Sequence, residues 1–336
     1  VSSGTATISY TVTDGGCSTQ VSQAVVVSAP NVNPISVTAS TLCVGGTITA
    51  TSTTAGGTWT ISNSSIATIN SSGVVTGVSA GTTSIVYTVT DGVTGCSNTA
   101  TLSITVLAQP VPTFSFTNNP CSGSSVGFTS SVTGTGPYTY SWNFGDGSPT
   151  SSLQNPSHTF ISLGCGSATF TVTLTVTDAS GCSNTATKTI TVNPLPVVKT
   201  SSDVTCVNST ITATPNTGGS WSSSDSSIAT ITDGGVITGR AAGEVAFTYT
   251  DSATGCSNTT KGTITVHNLP IVGLSEIEVC VGESITATPS TDGVWSSSND
   301  QIATVTNAGI VTGLSEGQTT LRYTNTATGC SNITPF

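Results

Sequence analysis

The segment from Trp221 to Cys256 reads WSSSDSSIATITDGGVITGRAAGEVAFTYTDSATGC, with short runs of Thr, Val and Ile between clusters of Gly, Ser and Asp. β-Branched residues favour strands and the clusters favour turns, so the segment predicts several short strands. Its landmark residues recur downstream at a constant offset of 74 residues, and they recur once more upstream. The three sets are Cys206, Trp221, Gly239 and Cys256; Cys280, Trp295, Gly313 and Cys330; and Cys43, Trp59, Gly77 and Cys96. Such a repeat predicts an array of like modules.

The composition predicts an all-β chain. Hydrophobic residues make up 35% of the 336 residues and charged residues only 6%, which is unlike a disordered chain. No window shows a sustained apolar period of 3.6 residues, so we expect almost no helix. The repeat length predicts β-sandwich modules of roughly 75–85 residues.

The charge excludes two classes of partner. The net charge is −10 with five Lys and Arg residues, so the chain has no basic surface for nucleic acid or for an anionic membrane. No apolar run approaches the ~20 residues of a membrane span, so we expect no membrane insertion in this segment.

One complete module, residues 30–107, shows the expected strand pattern. Gly and Ser clusters separate seven predicted strands, as in an immunoglobulin-like (Ig-like) Greek-key sandwich. These strands are Ile35–Ala39, Thr47–Ser52, Thr58–Ser62, Ala67–Asn70, Val74–Val78, Thr83–Thr90 and Asn98–Val106.

Proline-bearing linkers divide the chain into five parts. Proline restricts the backbone, so we expect stiff junctions and a rod of modules. The first part contains only the last two strands of a module, and the last part stops within its final strand, so we expect a window of a longer protein. The parts are residues 1–29, 30–107, 108–193, 194–267 and 268–336.

The tryptophans have two interpretations. Trp59, Trp221 and Trp295 share one strand position, and Trp142 lies in the differing module 108–193. A core tryptophan between two sheets is the common case at such a position. An exposed platform that stacks against sugar rings is the alternative.

Two known families share motifs with this chain. One motif, which runs from Ile66–Ile69 to Gly73–Gly77, resembles the bacterial Ig-like domain of group 2. Copies of this motif lie at residues 228–239 and 302–313. Residues 108–193 resemble a polycystic kidney disease (PKD) domain, through Tyr140–Gly147, Asn155–Phe160 and Phe170–Asp178.

Mixed arrays of these two families resemble the large surface proteins of Bacteroidetes. The resemblance implies a cell-surface adhesin, a gliding-motility filament or a stalk exported by the type IX system. It implies an extracellular location and no catalytic activity in these modules.

Ten cysteines, most of them at repeated positions, predict disulfides and therefore an oxidising compartment. With seven strands lettered A to G, the first cysteine of a module lies between A and B, at the end facing the next module. The second lies in the F–G turn at the opposite end, roughly 25–35 Å away by strand length. A disulfide needs Cα atoms within about 7 Å, so the topology predicts bridges between modules. These are Cys43–Cys182, Cys121–Cys256 and Cys206–Cys330.

The remaining cysteines leave alternatives open. Cys17, Cys96 and Cys280 would pair outside the window or stay unpaired, and Cys165 could compete for Cys256. If the first cysteine lies elsewhere, pairing within modules is the alternative, as Cys43–Cys96, Cys121–Cys182, Cys206–Cys256 and Cys280–Cys330. Peptide mapping without reduction distinguishes the two patterns.

No catalytic or cofactor site emerges from the sequence. His158 and His267 are the only histidines, and we expect a structural hydrogen bond for the first and a solvated linker position for the second. Without a base, no Ser or Cys nucleophile can be assigned.

Acidic residues recur at the end of strand F, and Asn325 replaces them in the last module. This replacement favours a backbone-capping turn over a calcium site, which needs six to eight oxygens. Asp146 and Asp178 are the least improbable calcium ligands. The equivalent acidic positions are Asp14, Asp91, Asp178 and Asp251.

We therefore expect a stalk or filament segment that acts as a stiff, disulfide-linked spacer. Its partners are neighbouring modules of the same chain, with a surface polysaccharide or another cell-surface protein as further candidates. The alternative is a non-catalytic spacer or carbohydrate-binding region of a secreted enzyme that degrades polysaccharide or protein. A fibre with strands donated between subunits is a third hypothesis.

Overall fold

The computed structural model describes residues 4–116, 120–163 and 166–336. Regular secondary structure in this described part consists of 33 strands. The prediction of an all-β fold made of successive Ig-like β-sandwich modules is confirmed. The chain divides into two compact units, one formed by Val1–Thr117, Gly127–His158 and Phe170–Thr189, the other by Asn118–Val126, Thr159–Thr169 and Ile190–Phe336.

Residues 4–27 form a hairpin of two long strands, β1 (Gly4–Asp14) and β2 (Cys17–Val27). The strands pair antiparallel from Gly4 opposite Val27 to Asp14 opposite Cys17. Every residue of the hairpin is exposed. The two strands predicted for residues 1–29 lie here.

The next module is a sandwich of two four-stranded sheets. Its strands are β3 (Ser36–Val37), β4 (Thr41–Cys43), β5 (Thr47–Thr51), β6 (Thr58–Ile61), β7 (Ala67–Ile69), β8 (Val74–Gly77), β9 (Gly81–Thr90) and β10 (Ser97–Leu107). One sheet has the order β3-β5-β8-β7 and the other the order β4-β10-β9-β6.

Strand β4 corrects the predicted layout, which has seven strands and places Cys43 in a turn. β4 pairs in parallel with the end of β10, so that Leu42 lies opposite Val106 and Cys43 opposite Leu107. Three residues are too few to show an alternating pattern, and the partner strand is distant in sequence. The sequence pattern therefore cannot show this strand.

Alternation builds the core of this sandwich. In β5, with the sequence TITAT, Ile48 and Ala50 are buried while the three threonines are exposed. The buried side chains Ile48, Ala50, Ala67, Val75, Ile85, Tyr87, Ile104 and Val106 belong to one cluster. This is the pattern expected where one face of each sheet packs on the other.

Residues 111–192 form the differing module. Its strands are β11 (Val111–Phe116), β12 (Ser125–Thr133), β13 (Tyr138–Asn143), β14 (Ser157–Thr159), β15 (Ala168–Asp178) and β16 (Ser183–Val192). The sheets have the orders β11-β12-β14 and β13-β15-β16. Trp142 is fully buried, with its ring centroid 5.0 Å from Phe114 and 5.5 Å from Phe128.

The last two modules repeat the first sandwich with small changes. The third contains β17 (Lys199–Thr200), β18 (Val204–Cys206), β19 (Thr210–Thr214), β20 (Gly219–Ser223), β21 (Ala229–Ile231), β22 (Val236–Gly239), β23 (Gly243–Val245), β24 (Phe247–Asp251), β25 (Ser257–Thr259) and β26 (Ile264–His267). The fourth contains β27 (Gly273–Leu274), β28 (Ser284–Thr288), β29 (Gly293–Ser297), β30 (Ala303–Val305), β31 (Ile310–Gly313), β32 (Thr320–Asn325) and β33 (Ser331–Pro335).

Sheet topology is likewise repeated. The third module has sheets β17-β19-β22-β21, β18-β26-β23 and β20-β24-β25, and the fourth has β27-β28-β31-β30 and β29-β32-β33. β18 pairs in parallel with β26, as β4 does with β10, and Cys206 lies opposite His267. His267 is thus the last residue of a paired strand and half-buried, so the prediction of a solvated linker histidine is wrong.

A recurrent glycine is required by close backbone contact. Gly235 has φ of 76°, and a Cβ there would collide with the carbonyl oxygen of Ala213. The two backbones are held together because the Ala213 amide donates to the Gly235 oxygen at 2.7 Å. Gly73 and Gly309 repeat this arrangement against Ala50 and Ala287.

The repeated tryptophans are not buried equally. Trp221 and Trp295 are 8% and 4% exposed, and their indoles donate to the oxygens of Pro215 and Pro289. Trp59 is only half-buried. In the first sandwich Ser52, and not a proline, follows the corresponding strand β5. The buried Trp221 and Trp295 present no open face on which a sugar could stack.

Candidate functional site at the module junctions

Six cysteines join the modules. Cys43, at the end of β4, is bonded to Cys182, in the turn between β15 and β16, with Cα atoms 5.6 Å apart. The other bridges are Cys121–Cys256 and Cys206–Cys330, with Cα distances of 5.6 and 5.7 Å. All three distances lie within the usual range for disulfides.

Each bridge follows one rule, in which the first cysteine of a module bonds the second cysteine of the next module. Cys206 ends β18, which lies beside the last strand of its module, and so it reaches the exit of that module. Cys330 lies just before β33, at the entry of the following module. Cys182, Cys256 and Cys330, the second cysteines, are completely buried.

The other thiols differ in setting. Cys17 and Cys280 are exposed and Cys96 is half-buried, and none of the three is bonded in the described part of the chain. Cys165, predicted to compete for Cys256, lies outside the described residues.

The turn that carries the second cysteine is capped by the acidic residue at the end of strand F. Asp91 Oδ1 accepts hydrogen bonds from the amides of Val93 and Thr94 and from the Thr94 hydroxyl. The amide and the hydroxyl of Thr94 hold the pKa of Asp91 below its ordinary value. Asp251 and Asn325 cap their turns with the same three contacts, and Asp178 accepts from Ser180 and Cys182.

An asparagine two residues after the second cysteine ties the same turn to the linker. Asn184 Nδ2 donates to the carbonyl oxygen of Pro110 at 3.1 Å. Its Oδ1 accepts from the amide of Thr185. The equivalent contacts are Asn98 to Pro30, Asn258 to Pro196 and Asn332 to Pro270, at 2.9, 2.9 and 3.0 Å.

Sequence reasoning missed this asparagine clamp. The recurrent Cys-Ser-Asn tripeptide is visible at Cys96, Cys182, Cys256 and Cys330. The role of its asparagine is not visible in the sequence, because the acceptor is a carbonyl oxygen at the start of the module, far away along the chain. One junction has a further contact, in which Gln109 Nε2 donates to the Val44 oxygen at 3.0 Å.

In the module formed by residues 111–192, the side chains of Asp146, Ser148 and His158 lie together in an arrangement that resembles a reactive site. His158 Nε2 lies 2.6 Å from Asp146 Oδ2, and the His158 ring stacks on Phe144 with centroids 3.9 Å apart. Ser148 Oγ donates to Asp146 Oδ1 and lies 3.5 Å from the same Nε2. A nucleophile relay needs the serine and the acid on different ring nitrogens, so this geometry does not activate Ser148.

The cluster also bears on the calcium hypothesis. Burial opposes ionisation of Asp146, but hydrogen bonds from Ser148 and His158 outweigh it and lower its pKa to about 2. Both carboxylate oxygens are thus engaged, and Asp178 Oδ1 caps a turn. Within the described ranges, no group of three His, Cys, Asp or Glu residues could hold a metal ion.

A cavity of about 1130 Å³ opens in the last module, lined by Val279, Ile302, Thr319 and Phe336 among others. In the third module, β26 pairs with both β18 and β23. The cavity lies between the corresponding segments of the last module. Its lining also includes Glu278, Glu316 and Gln318, and within the described residues no metal-binding group of three His, Cys, Asp or Glu side chains accompanies them. Among residues 4–116, 120–163 and 166–336, no helix is long and apolar enough to cross a membrane.

Family models recognise both kinds of module. A model described as PKD domain matches residues 107–193, and one described as bacterial Ig-like domain (group 2) matches residues 21–100 and 279–331. The chain combines a PKD domain with bacterial Ig-like domains. The PKD domain is thus the differing module. Assignment of residues 194–267 to the Ig-like group stays a prediction, supported by a strand order like that of the last module.

The chain is also similar to several solved structures. The PKD1 domain of Vibrio anguillarum Epp is 32% identical, over 26% of this chain and 95% of its own, with a TM-score of 0.22. Invasin, a bacterial integrin-binding protein, is 14% identical over 91% of this chain and 79% of its own (TM-score 0.27). Drosophila N-cadherin EC1-4 is 10% identical over 84% and 91% (TM-score 0.20). Scores of this size say nothing about a ligand. No curated protein matches the chain.

Proposed function

We propose that this chain is a structural and adhesive stalk or filament segment of a large bacterial cell-surface protein. It acts as a stiff spacer and has no catalytic role. The observation that supports this most directly is that the first cysteine of one module is bonded to the second cysteine of the next at three successive junctions.

Two covalent connections at one junction restrict motion more than one does. A single peptide linker allows bending and twisting about its backbone bonds, whereas a second connection removes most of that freedom. The junction of Cys43 and Cys182 also contains the hydrogen bonds from Gln109 and Asn184. We expect the linkers to behave as fixed spacers.

The chemistry fits an extracellular setting. Disulfides persist in oxidising compartments, and Ig-like and PKD domains with disulfides indicate an extracellular protein. Attachment to a cell surface, a Bacteroidetes-type export route and a role in gliding motility are parts of the proposal. So are the partners, namely neighbouring modules and a surface polysaccharide or another surface protein. Cys17, Cys96 and Cys280 have thiols suited to the same kind of bridge with other modules.

Small-angle scattering of the oxidised chain tests the stiffness. We expect one narrow distribution of maximum dimensions, and a broader one for the double variant Cys43→Ser, Cys182→Ser. Cys96→Ser, which removes an unbonded thiol, is the matched control and should leave the distribution unchanged. A broad distribution for the oxidised native chain would refute the stiff spacer.

A further inference from the structure

We propose that the disulfides form a covalent bypass that carries tension around most strands of the β-sandwiches, so that stretching the chain cannot extend the loops that contain those strands. This inference deepens the spacer role and depends on that role for its biological purpose. It follows from the order of the bonded cysteines. The bridges span 139, 135 and 124 residues, and their loops overlap because Cys121 lies inside the first loop and Cys206 inside the second.

A stretched chain is limited by its shortest covalent route. From Cys43 this route crosses to Cys182, follows the backbone to Cys206 and crosses to Cys330. The backbone part of the route is about 24 residues, which span at most about 85 Å when fully extended. Residues 44–181 and 207–329 are loops attached to this route, and tension does not act along them.

The loops contain nearly all of the sandwich strands. The first loop holds β5 to β15 and the second holds β19 to β32. Without bridges, 139 residues would extend to about 480 Å and 124 residues to about 430 Å. With the bridges intact, unfolding inside a loop adds no length. Mechanical load falls on the segment from Cys182 to Cys206, which contains β16, β17, β18 and the linker prolines Pro194 and Pro196.

The three bridges are not equivalent in this respect. Cys121–Cys256 connects a point inside one loop to a point inside the other, so its removal leaves the shortest route unchanged. Removal of Cys43–Cys182 forces the route through Cys121–Cys256 and lengthens it by about 100 residues, or about 360 Å. Removal of Cys206–Cys330 lengthens it by about 110 residues, or about 380 Å.

Single-molecule force spectroscopy tests the bypass. The full oxidised chain is pulled from its two ends, and the contour length just before detachment is measured. We compare the native chain with double Cys→Ser variants of each bridge, after peptide mapping has established the remaining bonds. We expect a gain of about 360 Å for Cys43→Ser with Cys182→Ser and about 380 Å for Cys206→Ser with Cys330→Ser. We expect no gain for Cys121→Ser with Cys256→Ser.

The controls separate this inference from its alternatives. Cys96→Ser and Cys280→Ser should leave the native contour length unchanged, because neither thiol is bonded. A gain of about 170 Å for Cys96→Ser would instead indicate a Cys43–Cys96 loop, and it would overturn the bypass. So would a gain on removal of Cys121–Cys256.

Contour length depends on bonds and not on folding, so a variant that folds poorly still gives a decisive value. The two experiments are independent. If force spectroscopy contradicted the bypass, the scattering result on stiffness would remain valid, and if scattering contradicted the stiffness, the contour lengths would still test the bypass.

Discussion

At the scale of single residues, the carboxylate of Asp146 stabilises a turn of the PKD domain through its hydrogen bonds. Asp146 accepts hydrogen bonds from Ser148 and contacts His158, and the side chains of His158 and Asp146 are only 17% and 16% exposed. Buried carboxylates need such partners to remain ionised. The cluster therefore holds the turn after β13 in place.

Asp146 makes the stability of the PKD domain depend on pH. Its folded-state pKa of about 2 lies below the ordinary 3.8, so ionisation stabilises the fold above about pH 4. This contribution disappears as the pH falls through 2. We expect Asp146→Asn to lower the free energy of unfolding by roughly 1–2 kcal/mol at pH 6 and by much less at pH 2.

Urea unfolding of the native chain and the variant, followed by fluorescence at both pH values, measures this difference. Asp300→Asn, at an exposed position of the last module, is the control and should show no such change. An equal effect of Asp146→Asn at pH 6 and pH 2 would contradict the assignment.

At the scale of strands and turns, the structure depends on contacts between the F–G turn and the linker. Each module places the asparagine of its Cys-Ser-Asn segment against the proline that opens the same module. The amide thus connects the first and last parts of a module. This contact fixes the direction in which the chain enters the sandwich.

Loss of the clamp should loosen the entry to a module. For Asn258→Ala, which removes the bond to Pro196 and the one from Thr259, we expect a loss of about 1 kcal/mol in the free energy of unfolding. Hydrogen exchange at the Thr259 amide should accelerate. Asn216→Ala, at an exposed position, is the control. Unchanged exchange at Thr259 would show that the clamp does not hold the turn.

At the scale of the whole chain, the bridges add to stability as well as connecting modules. A loop of 124 residues, as closed by Cys206 and Cys330, is worth about 4–5 kcal/mol in the chain-entropy model. The last two modules are therefore expected to depend on it.

Replacement of both Cys206 and Cys330 by serine should lower the thermal midpoint of these modules by several degrees. Calorimetry of the oxidised protein measures the change. The control is Cys280→Ser, because Cys280 is exposed and unbonded. If the midpoint stayed constant, the bridge would connect the modules without stabilising them.

The repeat length and the alternation of apolar and polar residues allowed the modules to be predicted from the sequence. The pattern Thr-Ile-Thr-Ala-Thr alternates sides along a strand, and the structure buries its Ile and Ala. The signals that failed were those that depend on distant partners. β4 is stabilised by β10, and the asparagine clamp needs the proline at the module entry.

The order of residues was thus enough to establish the kind of module, the positions of cysteines and turns and, for residues 30–107, the number of strands to within one. These properties are local, because side-chain alternation and turn chemistry act over a few residues. The predicted strand order also gave the three bridges between modules that the structure contains, although pairing within modules stayed open as the alternative. Which polar side chains reach the linkers depends on where strands end in space. Such contacts join segments that are far apart along the chain, and no local pattern encodes the distance between them.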